Sequence, residues 1–179
     1  MRQDLLASNK ITLREMHMDD LERIHDWENR SELWYLGDVH QPLTRSEIKD
    51  FMQSSTGDIL LDGQLRLMIG DKNGNTVGCI DLFDFDAFNE KAGVGILIAE
   101  TADRKNGYAK EALTLVSNYC FQVFKLKQLY CHITVDNQNS LMLFKACGYV
   151  ETGRCKDWVK KGQTFIDTLF LQKINAVHG

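Results

Sequence analysis

Apolar residues along this chain recur at two different periods, and the changes of period mark out its elements. Ile11-Thr12-Leu13-Arg14 alternates and predicts a short first strand. Leu21, Ile24 and Trp27 follow at helical spacing, behind Asp19 and Glu22, which read as a capping-box-like start. Thr44-x-x-Glu47 is a second capping box and opens a helix carrying Ile48, Phe51 and Met52. Leu65 to Ile69 and Val77 to Phe83 flank Lys72-Asn73-Gly74-Asn75, and Asn-Gly between two apolar runs predicts a hairpin. A polar, acidic turn precedes a strand expected from Ala92 to Ala99.

From Tyr108 to Phe124 the period is helical, with Ala109, Ala112, Leu113, Val116, Cys120, Val123 and Phe124 on one face. Gln128 to Val135 alternates Leu129, Cys131, Ile133 and Val135 against Tyr130, His132 and Thr134, a strand pattern. A helix from about Asn139 to Cys147 is closed by Gly148. Two short strands near Tyr149–Thr152 and Thr164–Leu171 end the chain, with Trp158 between them and a turn at Lys161-Gly162. A helix-rich start, an antiparallel meander and then strand-helix-strand-helix-strand give an α/β or α+β fold on a mixed sheet.

The 179 residues suffice for one domain over 1–179, with no linker, repeat or low-complexity tract. A net charge of -4 argues against a general nucleic-acid binder and suits a cationic partner. No apolar run approaches the ~18 residues of a membrane span, and no signal-peptide core is present, so a cytoplasmic protein without a membrane partner is expected. Cys79, Cys120, Cys131, Cys147 and Cys155 form no C-x-x-C pair and read as reduced thiols. The five histidines share no metal spacing, and no metal site is expected.

The stretch richest in chemistry is Arg104-Lys105-Asn106-Gly107-Tyr108-Ala109. A strand, a basic glycine-containing loop and a helix form an anion cradle, because the first amides of a helix have no partner within it. Gly107 admits close approach, and Arg104, Lys105 and Lys110 supply positive charge.

Arg104-x-x-Gly107-x-Ala109 resembles the acetyl-CoA signature of the GCN5-related N-acetyltransferases, and Asn137-x-x-Ser140-x-x-Leu143-Phe144-x-x-x-Gly148-Tyr149 resembles that family's second motif. Thr12-Leu13-Arg14 resembles the family's opening. Trp34-Tyr35, Ala92-Gly93-Val94-Gly95-Ile96 and Gly162-Gln163-x-x-x-Asp167 are similar to the branch holding ribosomal-protein N-terminal and spermidine acetyltransferases.

The resemblance implies the family fold, a sheet with splayed middle strands flanked by helices, and acetyl-CoA as donor. It implies that backbone groups of Ile96, Leu97 and Ile98 hold the pantetheine arm. Amides from Arg104 through Lys105, Asn106, Gly107, Tyr108 and Ala109 to Lys110 would hold the pyrophosphate. Asn137 would orient the donor's amide or reach the reaction centre, and Phe144 would pack beside the thioester. The acceptor would be a primary amine: a protein N-terminus, a polyamine or another small amine. The family's common dimers and the edge of the C-terminal hairpin make a homodimer a further expectation.

Acetyl transfer to an amine needs a deprotonated nitrogen, a donor for the developing oxyanion, a proton for the leaving thiolate, and alignment. Phe144 stands where many family members have a tyrosine acid, and Gly93 where many have a glutamate base. Substitute acids are Tyr149, Tyr108 or water. Substitute bases are Asp81, Asp84 or Glu90, with a water relay ending at Asp84 or Asp81 as the expectation. Trp34 and Tyr35 read as a substrate-pocket wall or as core, with Glu32 among acidic residues that suit a cationic acceptor. Phe144 and Gly93 leave a second reading open, a non-catalytic acyl-CoA sensor. A nucleotide binder is disfavoured, since neither G-x-x-x-x-G-K-[ST] nor G-x-G-x-x-G is present.

Overall fold

The structure, a computed structural model, describes residues 3–30 and 41–177. The strands are β1 (Ile11–Glu15), β2 (Leu65–Asp71), β3 (Thr76–Asp86), β4 (Lys91–Ile98), β5 (Gln128–Thr134), β6 (Val150–Lys161) and β7 (Thr164–Ile174). The helices are α1 (Leu21–Glu28), α2 (Arg45–Ser54), α3 (Ile59–Asp62), α4 (Tyr108–Gln122) and α5 (Gln138–Ala146). All seven strands join one sheet in the order β1-β2-β3-β4-β5-β7-β6. Every neighbouring pair is antiparallel except β4 and β5, which α4 connects.

Alternation sorts the side chains between two faces. Met68, Cys79 and Ala99 pack with Ile24 and Trp27 of α1 and Ile48 and Met52 of α2. Leu65, Leu67, Ile80, Leu82, Ala92 and Val94 share the other cluster with Ala112, Leu113 and Val116 of α4 and Leu141 and Phe144 of α5. The predicted face of α4 is therefore the buried one, with Ala112, Leu113 and Cys120 fully enclosed. The helix ends at Gln122, short of the expected Phe124.

Thr44 caps α2 as its sequence predicts: its Oγ1 accepts from the Glu47 amide at 3.2 Å, and its own amide donates to Glu47 Oε2 at 2.7 Å. The Asn73-Gly74 turn closes the β2–β3 hairpin, with the Asp71 amide donating to the Asn75 carbonyl at 2.8 Å. The expected cap at Asp19 and Glu22 is corrected. Glu22 pairs instead with Arg45 of α2 at 2.9 Å, and Asp20 is the residue that organises the turn before α1.

Asp20 is 2% exposed, and its two oxygens receive Arg14 at 2.7 and 2.8 Å. The amide of His17 adds a bond at 3.0 Å. Burial works against this carboxylate, but the Arg14 hydrogen bonds, the His17 amide and the charges of Arg14 and Arg23 outweigh it and hold its pKa below the ordinary value. A group with a depressed folded pKa stabilises the fold above its unfolded value, ~3.9 for aspartate, and loses that contribution as pH falls through the folded pKa. Asp20→Asn is expected to lower stability at pH 7 by about 1–3 kcal/mol and to flatten the decline below pH 4. Urea unfolding across pH 3–7 measures both effects. An unchanged midpoint at pH 7 would contradict this role.

The last hairpin differs most from expectation. β6 spans twelve residues and includes Trp158, which was expected between two short strands. Most of β6 is exposed, so no apolar alternation marks it. Its pairing with β7 makes the strand, and a register shift between Cys155 and Val159 accompanies a positive φ of 49° at Asp157.

Candidate active site

The parallel pairing of β4 and β5 covers only three residue pairs, Lys91 with Gln128, Ala92 with Leu129 and Gly93 with Tyr130. Beyond Gly93, β4 continues against β3 while β5 continues against β7. The edges facing each other there have no strand partner among the described residues. A cleft of about 840 Å³ runs through this opening. Residues from both faces line it: Ile24 and Glu28 of α1 and Phe51 of α2 from one, and Asn137, Ser140 and Phe144 at α5 from the other. A passage through a sheet lets two molecules meet from opposite sides.

At the C-terminal end of β4, Gly107 is the residue before α4, with φ 80°. The Glu111 amide is the first to donate back into the helix, to the Gly107 carbonyl. The amides of Tyr108, Ala109 and Lys110 thus lead the helix with no intrahelical acceptor. The Lys10 ammonium donates to the Asn106 carbonyl at 3.2 Å, a cation at this loop that sequence reading did not single out. A Cβ on Gly107 would lie 3.1 Å from that nitrogen, so the glycine serves both the turn and the approach of Lys10. Arg104 has a different place. Its amide donates to the Thr101 carbonyl, and its guanidinium donates to the carbonyls of Ile98 and Ala99 at 3.3 and 3.5 Å. It ties the loop to the end of β4.

The chemistry of the slot fits a pantetheine arm. Ile96 and Phe144 line it with apolar surface, and Phe144 is 3% exposed with its ring edge-on to Tyr149 at 4.9 Å. Thr134 and Thr168 stand opposite each other across β5 and β7 and line the same cleft; both hydroxyls are buried, Thr134 interacting with Asp136 and Thr168 having no hydrogen-bond partner among the described residues. A buried hydroxyl without one calls for a polar partner. Asn137 caps α5, its Oδ1 accepting from the Ser140 amide at 3.2 Å, and it also lines the cleft.

The two candidate carboxylates differ sharply. Asp81 is held by Arg66 through bonds of 2.7 and 2.9 Å, and the same guanidinium reaches Glu28 of α1 at 2.6 Å. Burial works against the charge on Arg66, but the two carboxylates outweigh it and keep the guanidinium protonated. Asp84 is exposed, at a register shift in β3 with φ 48°, and accepts a hydrogen bond from the Tyr130 hydroxyl at 3.0 Å. Burial first, then the Asp84 hydrogen bond and charge, push the Tyr130 phenol up to about 12. Glu90 lies outside the cleft, where its carbonyl receives the amides of Lys127 and Gln128. Tyr149 is 2% exposed, and burial pushes its phenol up. His132 is exposed along the cleft, with burial lowering its pKa. Trp34, Tyr35 and Glu32 lie outside the described residues.

Phe83 explains the glycine at 93. A Cβ there would sit 2.2 Å from Phe83 Cε2, so the ring fills the space a glutamate would need. Gly93→Glu is expected to cost about 1–3 kcal/mol by overpacking, a fall of roughly 3–10 °C in Tm, without raising activity. Thermal unfolding and a rate assay check this, and a stable, faster variant would contradict it.

Among the described residues no helix is long and apolar enough to cross a membrane, and no cluster of metal-binding side chains is present. The family model for the acetyltransferase (GNAT) domain matches residues 10–150. A spermidine N(1)-acetyltransferase from Vibrio cholerae is 24% identical over 146 residues, covering 82% of each chain. The alpha/beta-tubulin-N-acetyltransferase 9 of Drosophila melanogaster is 31% identical over 143 residues, 74% of this chain and 71% of that one. The solved structure of the Vibrio cholerae spermidine N-acetyltransferase with CoA and spermine superposes with a TM-score of 0.84 at 20% identity, covering 93% and 96% of the two chains. The splayed β4 and β5, the free amides opening α4 and the match over residues 10–150 lead to one conclusion: the chain belongs to the GNAT acetyltransferases, enzymes that use acetyl-CoA to acetylate amines.

Proposed function

We propose that this chain transfers the acetyl group of acetyl-CoA to the primary amine of a small cationic acceptor, by direct attack in a ternary complex. The observation that carries the reading is the cleft through the splay, with Asp84 among its lining and no arginine among the described residues holding it. The amides of Tyr108, Ala109 and Lys110 bind the pyrophosphate. The open edge of β4 at Ile96, Leu97 and Ile98 takes the pantetheine arm, and Phe144 packs against its end. The side-chain amide of Asn137 and the hydroxyls of Thr134 and Thr168 meet its polar groups.

The amine reaches this centre from the α1–α2 face, and Asp84 takes its proton directly or through one water. Asp81 serves the wall of the groove instead, since both of its oxygens are occupied by Arg66. Glu28, Glu47, Asp81 and Asp84 against Arg66 leave the described lining acidic, which favours a cation. The similarity to a spermidine acetyltransferase supports a polyamine or a related alkyl amine; the similarity to a tubulin N-acetyltransferase supports a protein amine, taken here as an N-terminus, as the second reading.

A thiol-release assay with acetyl-CoA, offering spermidine, simple diamines and a short peptide with a free N-terminus, decides between them. Faster release with the alkyl amines is expected. Preference for the peptide would favour the second reading. Calorimetric binding of acetyl-CoA with no thiol released by any amine would favour a sensor without catalysis.

A further inference from the structure

Tyr130 and Gly93 form the last pair before β4 and β5 part, and the Tyr130 hydroxyl donates to Asp84 Oδ2 at 3.0 Å. An arm that enters by the α4 loop and follows β4 from Ile98 toward Gly93 covers about 17 Å of strand at ~3.3 Å per residue. It must stop where the strands close, which brings its thioester end beside this phenol. The ring is fixed by Phe83 at 6.1 Å and Phe170 at 5.5 Å between centroids. Among the described residues lining the cleft, Tyr130 is the tyrosine, since Phe144 has no hydroxyl and Tyr149 is enclosed behind it.

We infer that Tyr130 is the proton donor to the leaving thiolate and that Asp84 restores its proton. The inference rests on the acetyl-transfer reading above. The neutral amine nitrogen attacks the thioester carbonyl carbon, so a C–N bond forms, the C–S bond breaks, and the electron pair leaves on sulfur. The surplus proton on nitrogen passes to Asp84, sulfur then takes the phenol proton, and Asp84 returns its proton to the Tyr130 oxygen. One proton has then moved from nitrogen to sulfur, and both residues return to their starting states.

The charge of Asp84 helps to hold the phenol proton, with the phenol pushed up to about 12. That hold weakens when Asp84 is protonated, which times the donation to follow the amine's loss of its proton. The titratable groups facing Tyr130 are Asp84 from β3 and His132 on its own strand, 6.1 Å away between rings. His132 is neutral near pH 7, since burial lowers its pKa.

The test uses the full chain. Tyr130→Phe is expected to lower kcat about 10²-fold while the calorimetric Kd for acetyl-CoA stays within threefold, and adding Asp84→Asn is expected to lower kcat further, to a total loss smaller than the product of the two single losses. A kcat within threefold of wild type, or a loss that follows weakened binding, overturns the assignment. A fluorinated tyrosine placed at position 130 gives a second readout without any donor present. Its ¹⁹F titration midpoint is expected to fall when Asp84→Asn is introduced, and its kcat profile is expected to show an alkaline limb at lower pH than wild type. A midpoint or limb that does not move overturns the relay. Wild-type protein that releases no thiol with any amine overturns the acetyl-transfer reading itself; normal wild-type transfer with an unimpaired Tyr130→Phe overturns the relay alone.

Discussion

Asp84→Asn is expected to lower kcat by about 10²–10³-fold, with the KM for acetyl-CoA little changed. Asparagine keeps the shape, and its side-chain carbonyl still accepts the Tyr130 hydroxyl, so the β3 bulge stays in place. What is lost is an acceptor for the amine's proton, a loss felt in the chemical step and not in donor binding. The positive φ of 48° is compatible with asparagine, which tolerates this region better than most residues. Thiol release at saturating acetyl-CoA and amine, with donor affinity from calorimetry, measures the split. A kcat within threefold of wild type would remove Asp84 from the mechanism.

Arg66→Met is expected to act on stability, costing about 2–4 kcal/mol and lowering Tm by roughly 5–15 °C. The arginine joins Glu28 on α1 to Asp81 on β3, and the three side chains are 20–30% exposed. Removing the shared cation leaves two carboxylates facing each other in a partly dry wall. The full penalty for breaking a buried pair is discounted here because water still reaches the group. Methionine keeps most of the stem's packing, which isolates the charge effect. Differential scanning calorimetry tests it. A Tm within 2 °C of wild type would show that solvent already screens the triad. Reversal of part of the loss by Glu28→Gln would support the charge account.

The elements that announced themselves in the sequence are those whose local chemistry agrees with their surroundings. The Thr44–Glu47 box, the Asn73-Gly74 turn and the apolar face of α4 each depend on residues a few positions apart. β6 did not announce itself because it is exposed on both faces and owes its conformation to β7. Asp19 and Asp20 look alike in the sequence, and only the fold brings Arg14 to Asp20.

The candidate site shows the same division. The loop at 104–110 stands out in the sequence because a glycine and a helix start together offer partnerless amides through local backbone geometry. The choice between Asp81 and Asp84 does not, because both sit in one acidic run of β3. Arg66, on the neighbouring strand, occupies Asp81, while the bulge turns Asp84 toward Tyr130 on β5. Tyr130 looked like the outer member of an alternating strand. Its position at the vertex follows from how few pairs join β4 to β5, a property of the sheet.

In the proposed function acetyl-CoA lies in the splay, held by the edge of β4 and the first amides of α4. Hydrogen–deuterium exchange with and without acetyl-CoA tests it directly, since amides that gain a partner exchange more slowly. Slower exchange is predicted at residues 94–98 and 107–110, with β1 and β2 unchanged. Protection that spares residues 94–98 and appears only in α1 and α2 would contradict it.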